Sequence, residues 1–190
     1  MSVFEFYTVL LSFVVSLGVA SLLSAIARLV QEAGRVKLSW SYALWTIAIF
    51  NLMITFWIKS WSYHDTFELR LAHAGPPLLL AIVGYLACGL ATPPIPDEGV
   101  IDLDAFHERQ GPKYMVAITV FMALAIVQGV LMGDFRFDAA EMPWDIIVQV
   151  GLGLLALVSA MLLRRRWIQI LAPSIFLTSS VFYYLRLIGW

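Results

Sequence analysis

The sequence predicts an all-α fold, a polytopic transmembrane helical bundle of six spans that forms one domain over residues 1–190. Three observations carry this expectation. Six apolar stretches follow one another, each close to the ~20 residues a helix needs to cross ~30 Å of hydrocarbon at ~1.5 Å per residue. Hydrophobic residues make up 61% of the chain, charged residues only 13%, and the mean hydropathy is +0.85, so no polar stretch is long enough to build a second core. Lys and Arg, finally, favour alternate connections between the stretches.

The first span is expected from Val3 to Val30. The residues before it lack the positive segment of a signal peptide, so it is expected to be retained. The second runs from Trp40 to Trp61, whose separation corresponds to about 32 Å of helix, one hydrocarbon thickness. The third, Leu69 to Ala91, contains Cys88, the lone cysteine, which excludes an intramolecular disulfide and a Cys-based metal cluster. The fourth is expected from Lys113 to Met132, after a capped interfacial helix between Asp102 and Arg109. The fifth covers Pro143 to Leu163 and the sixth Trp167 to Ile188. Pro76, Pro77 and Pro173 are expected near first turns, where a missing backbone donor costs little.

With an even number of spans both termini share a side. Connections one, three and five hold Arg28, Arg35, Lys37, Arg109, Lys113 and Arg164 to Arg166, against Lys59, Arg70, Arg136 and Arg186 at the other ends. The positive-inside rule then places both termini on the non-cytoplasmic side, in the periplasm if the source is a Gram-negative bacterium. Tryptophans agree with these levels: Trp40, Trp45 and Trp167 fall near the inner interface, Trp57, Trp61, Trp144 and Trp190 near the outer one, the pattern of an aromatic belt.

Packing and polar positions follow. Ser12, Ser16, Ala20 and Ser24 recur every fourth residue in the first span, a small-residue ridge suited to close helix contact, and Gly153, Ala156 and Ala160 offer a matching face in the fifth. Asn51, Thr55, Gln128, Gln149 and Thr178 lie within spans, where each must find a partner or water. Interhelical hydrogen bonding is the simpler expectation for them, and a polar path between helices the alternative. At the outer edge Glu5, Lys59, His64, Asp65, Glu68, Arg70, His73, Asp145 and Arg186 gather near helix ends, as a solvated rim would.

On the inner side Asp97, Glu98, Asp102, Asp104 and Glu108 form an acidic connection, a candidate docking surface for a basic cytosolic partner. His64, His73 and His107 are all assigned to loops or span ends, so no paired axial ligands are expected within the bundle, and no metal or cofactor. Short catalytic and phosphate-binding motifs are missing, and a formal charge of −1 gives no reason to expect nucleic acid binding.

Phe4-Glu5-Phe6, the Ser-rich first span, the basic Gly34-Arg35-Val36, the run from Pro76 to Leu80 and the acidic loop from Pro96 to Leu103 together resemble a loosely defined group of small uncharacterised bacterial six-span inner-membrane proteins. The resemblance implies the six-span plan and carries no activity or catalytic residue with it. The functional expectation is a non-enzymatic integral membrane protein. It would be a structural or accessory subunit in contact with membrane lipid, associating with itself or with other subunits of a larger complex, including an energy-transducing one. A small-solute or ion transporter or channel is the alternative.

Overall fold

A computed structural model gives the architecture; it describes residues 3–64, 71–132, 144–163 and 165–187. These residues form six helices: α1 (Val3–Gln31), α2 (Trp40–Trp61), α3 (Leu71–Leu90), α4 (Leu103–Leu131), α5 (Trp144–Leu163) and α6 (Arg166–Leu187). In hydrocarbon no water can satisfy backbone N–H and C=O groups, and a helix satisfies them within the segment. Four stretches, Phe4–Gln31, Trp40–Trp61, His73–Leu90 and Leu103–Leu131, are long and apolar enough to cross a membrane, and Gly151–Leu163 is a shorter apolar helix.

α3 lies at the centre of one side of the bundle, packed against α4 and α1, while α5 packs on α6 and α4. α2 touches α1, α3, α4 and α6 and so joins the two sides. The face α1 turns inward comprises Tyr7, Leu11, Val15, Gly18, Leu22, Ala25 and Leu29, all buried. These positions mix steps of three and four and therefore stay on one side of a helix with 3.6 residues per turn. The ridge of strict fourfold spacing does not. Each step advances it by about 40°, so it drifts from buried Thr8 through half-buried Ser12 to exposed Ser16, Ala20 and Ser24. Ser12 still faces α2, accepting a hydrogen bond from the Trp57 indole at 3.0 Å. The expected α1 ridge is thus not the intramolecular packing face, and Gly153, Ala156 and Ala160 are buried on a helix that packs with α6 and α4.

Two glycines set the close approaches. A Cβ on Gly18 would stand 3.3 Å from the Tyr85 Cα, and one on Gly84 would collide with the Met53 thioether. α1 and α2 both lie against α3 because these side chains are missing.

The connections at one end form a second small core. A 3-10 turn, Ala33–Arg35, leads into strand β1 (Val36–Lys37), which pairs in parallel with β2 (Ile101–Asp102) in the register Val36↔Ile101 and Lys37↔Asp102. Leu29, Tyr42, Ile101, Leu103 and Phe106 are buried together beneath it. Arg35 donates from Nε to the Gly99 carbonyl at 2.9 Å and from Nη2 to that of Pro96 at 2.7 Å. Gly99 adopts φ 95°, a left-handed conformation that glycine enters at no steric cost, and this turn helps present both carbonyls. An ion pair of 3.6 Å between Arg166 and Asp104 brings the α5–α6 connection to the same end.

Three features differ from the sequence expectation: one helix boundary, the place of the prolines and the depth of one tryptophan. α4 begins at Leu103, ten residues before Lys113, because Asp102 caps it by accepting from the Ala105 N–H at 2.9 Å and the helix then continues through Pro112. The capped interfacial segment is the first part of α4. Pro76, Pro77 and Pro173 lie inside α3 and α6, beyond their first turns, where each removes a bond to the carbonyl four residues earlier. Beside the weakened turn of α3, the Tyr7 hydroxyl donates to the Ala74 carbonyl. Trp45, assigned to the interface, is 2% exposed and packs on Tyr114, whereas Trp40, Trp57, Trp61 and Trp167 are exposed as a belt requires.

Two outcomes test this packing. Gly18→Leu should lower stability by about 1–3 kcal/mol by forcing α1 off α3, whereas Ser16→Leu should leave the midpoint of thermal unfolding unchanged. Asp102→Ala should lower that midpoint at neutral pH, and Asp97→Ala should not. The Lys37 ammonium at 2.8 Å, together with the Ala105 N–H, holds the Asp102 carboxyl below the usual range, and Asp102 raises Lys37 in turn. A depressed acid contributes fully above its unfolded pKa and loses the contribution as pH falls through the depressed folded value. The gap between wild type and Asp102→Ala should therefore close only in acid.

Candidate functional site

Among the described residues, two cavities between the helices each have a buried polar side chain at the wall. The first, about 240 Å³, is lined from α2, α3, α4, α5 and α6. Seven residues along α2 separate Lys59 from Leu52, and the same interval along α4 separates Gln128 from Phe121, a rise of about 10 Å in each case. Lys59, Ser60, Tyr63, Gln128, Ser179 and Ser180 supply the polar lining; Leu52, Phe56, Leu80, Phe121, Met122, Ala125 and Phe176 supply a mainly apolar wall. Gln128 is 6% exposed. The hydroxyls of Ser60 and Ser180 are directed to carbonyls of their own helices, those of Trp57 and Phe176.

Of the residues expected to share a polar path, the structure brings Thr55 and Gln128 to this cavity. Asn51 stands beside it: the Thr55 and Tyr184 hydroxyls share a 2.7 Å hydrogen bond, and Tyr184 donates to the Asn51 Oδ1 at 3.5 Å. The Asn51 amide nitrogen is buried without a partner. Thr178 is separate, exposed and bonded to the Ser174 carbonyl one turn back. The Gln149 side chain lies outside the described residues, as do the outer-rim side chains of Asp65, Glu68, Arg70, Asp145 and Arg186.

The second cavity, about 290 Å³, is lined by His107, Glu108, Gly111, Pro112, Met115, Ala160, Met161 and Gln169. His107, expected at a loop or span end in the capped interfacial segment, lies within the long α4, is 7% exposed and meets α6. Its hydrogen bonds define a direction. The Gln169 amide nitrogen donates to the Ala160 carbonyl at 2.6 Å, which turns Oε1 towards His107 Nε2 at 3.1 Å. An oxygen acceptor there requires the proton on Nε2, so Nδ1 accepts from the Tyr114 hydroxyl. A chain of donors thus runs from Tyr114 through His107 and Gln169 to the backbone of α5, every member satisfied. Gly111 leaves room for the imidazole, since a Cβ there would lie 3.4 Å from the ring. The spacing of His107 and Tyr114 was available in the sequence, but Gln169 is distant in the chain and nothing local points to it.

The acidic connection is divided by its contacts. Asp102 is taken up by Lys37 and the cap, and Asp104 by Arg166, whereas Asp97, Glu98 and Glu108 are exposed. Only the exposed three are available to a partner without breaking the fold. No group of three or more His, Cys, Asp or Glu residues suited to a metal ion occurs among the described residues.

Comparison of the chain with family models, curated proteins and solved structures gives no match. The fold therefore defines the class directly: an all-helical protein with four helices long and apolar enough to cross a membrane among the described residues.

His107→Leu should cost about 2–3 kcal/mol, because the Gln169 oxygen and the Tyr114 hydroxyl are left buried without their partner. Glu98→Ala, at an exposed position, should change thermal unfolding little.

Proposed function

We propose that this protein is a six-span subunit of a bacterial inner membrane, with both termini on the non-cytoplasmic side, and that its role is structural or accessory rather than enzymatic. It resembles in plan a group of small six-span inner-membrane proteins. The gathering of the α1–α2, α3–α4 and α5–α6 connections at one end supports the topology, and the basic residues on those connections support the orientation.

The observation that carries the accessory reading is the outer face of α1. Ser16, Ala20 and Ser24 are exposed, flanked by exposed Phe13 and Leu17, while the opposite face of the same helix makes the intramolecular contacts. In lipid the hydrophobic effect gives helices no reason to associate, so close approach over small side chains and interhelical hydrogen bonds supplies the attraction. A stripe of small residues turned away from the molecule's own core suits a further transmembrane helix, from a second copy or from another subunit of a larger complex. Asp97, Glu98 and Glu108 add an exposed acidic surface at the connected end for a basic cytosolic segment. The first cavity favours a second reading, a carrier of small molecules, because Thr55 and Gln128 meet at its wall.

Cys88 is buried, so single cysteines introduced elsewhere can be crosslinked in native membranes with little background. Ser16→Cys and Ser24→Cys should give a crosslinked species, at twice the chain's mass for a second copy and at another discrete mass for a different subunit. The same substitution at Val120, exposed on α4, should give none. Equal crosslinking at all three positions, or at none, would overturn association through α1.

A further inference from the structure

The cavity between α4, α5 and α6 gathers residues whose backbone acceptors have lost their helical donors. Proline has no N–H, so inside a helix it deprives the carbonyl four residues earlier of its bond. Pro112 does this to Glu108 in α4, and Pro173 does it to Gln169 in α6. Glu108 and Gln169 are far apart in sequence, yet both line this one space of about 290 Å³. α5 adds to them. It ends at Leu163, so Ala160 and Met161, which also line the cavity, lie in its last turn, where carbonyls have no donor within the helix. The Ala160 carbonyl accepts from the Gln169 amide at 2.6 Å.

Charge then selects the kind of ligand. Glu108 is exposed at the edge of the cavity, and no ion pair engages it among the described residues, whereas Arg166 is drawn to Asp104 at 3.6 Å. No Lys or Arg lines the cavity among the described residues. The C-terminal end of α5 also carries the negative pole of its helix dipole. An acid, acceptors without donors and a negative helix end together favour a cation.

Polarity and size decide which cation. The remaining wall includes Met115, Met161 and Pro112; thioether sulfur is a soft ligand that does not suit hard ions such as Na⁺ or Mg²⁺. Soft metals meet only engaged nitrogens, because both ring nitrogens of His107 are held by Tyr114 and Gln169. A primary ammonium has three N–H donors to place on such acceptors, and an alkyl arm covers the apolar wall. The volume, just below the ~300–1,000 Å³ of pockets for drug-sized ligands, keeps that arm short.

We propose that this cavity binds a small primary alkylammonium ion, its head on the Glu108 carboxylate and the proline-freed carbonyls of Glu108 and Gln169, its alkyl arm along Met115 and Met161. The site is independent of association through α1, and it uses Glu108 without Asp97 or Glu98.

The test uses the full chain in phosphatidylcholine nanodiscs, with n-butylammonium as the probe and ligand-observed saturation-transfer NMR as the readout, empty nanodiscs serving as the blank. The signal should saturate and should resist sodium and potassium at equal concentration. n-Butanol, which has the arm without the charge, should give no saturable signal. Glu108→Gln, at an exposed position, should weaken binding at least about tenfold, as the loss of a charge-assisted hydrogen bond predicts, and Glu98→Gln should leave it unchanged. Pro112→Ala returns an N–H to the Glu108 carbonyl and should weaken binding about fivefold without lowering the unfolding midpoint. Absence of saturable n-butylammonium binding, or saturable binding of n-butanol, would overturn the proposal. So would equal weakening by Glu98→Gln, or binding that survives both Glu108→Gln and Pro112→Ala. Displacement by sodium or potassium would overturn it in favour of a metal ion.

Discussion

Gly18 and Gly84 let the backbones of α1, α3 and α2 approach one another in a setting where burial of apolar side chains supplies little net attraction. Hydrocarbon solvates leucine about as well as a protein interior does, so the bundle is held by contacts that lipid cannot imitate: close packing, hydrogen bonds between helices, and ties between the connections. The first depends on small side chains at the crossing points. Once α1 and α2 are seated against α3, the placement of the larger core residues Leu22, Met53 and Leu80 follows, since these fill the space around the crossings.

The two ends of the molecule are built differently. At the end where α1 leads to α2 and α3 to α4, two remote connections are joined by a short parallel pairing, a Lys37–Asp102 ion pair and the Arg35 contacts to carbonyls. Ion pairs of this exposure contribute little singly. Their value is geometric: they fix where α4 begins, and therefore which face of α4 carries His107 and Tyr114 into the bundle. Below this platform the donor chain from Tyr114 to Ala160 links α4, α6 and α5, and the contact of Trp45 with Tyr114 extends it to α2. Polar groups bonded in sequence in a region of low dielectric orient one another, so this cluster specifies relative helix rotation as well as adding stability.

Hydrogen bonding is incomplete both near the platform, where the Trp45 indole nitrogen, the Thr46 hydroxyl and the Gln110 side-chain oxygen are buried without partners, and away from it. Gln128 is buried at a cavity wall and the Asn51 amide nitrogen lacks a partner.

The sequence by itself determined the helical class and, apart from the start of α4, the approximate placement of the helices. Length and hydropathy dictate them because the cost of an unbonded backbone group in hydrocarbon allows little else, and α2 runs from Trp40 to Trp61 as its bracketing indoles require. It also supplied Thr55 and Gln128, which are conspicuous as polar residues in apolar stretches. Tertiary structure decided which face of each helix is used. A ridge of fourfold spacing rotates about 40° per step, so Ser16, Ala20 and Ser24 left the interior while Gly18 entered it. It decided as well that His107 is buried, because Gln169 arrives from a helix that no local pattern connects to α4. Helix formation is a short-range property of the chain, whereas rotation and pairing depend on side chains that meet only after the helices have packed.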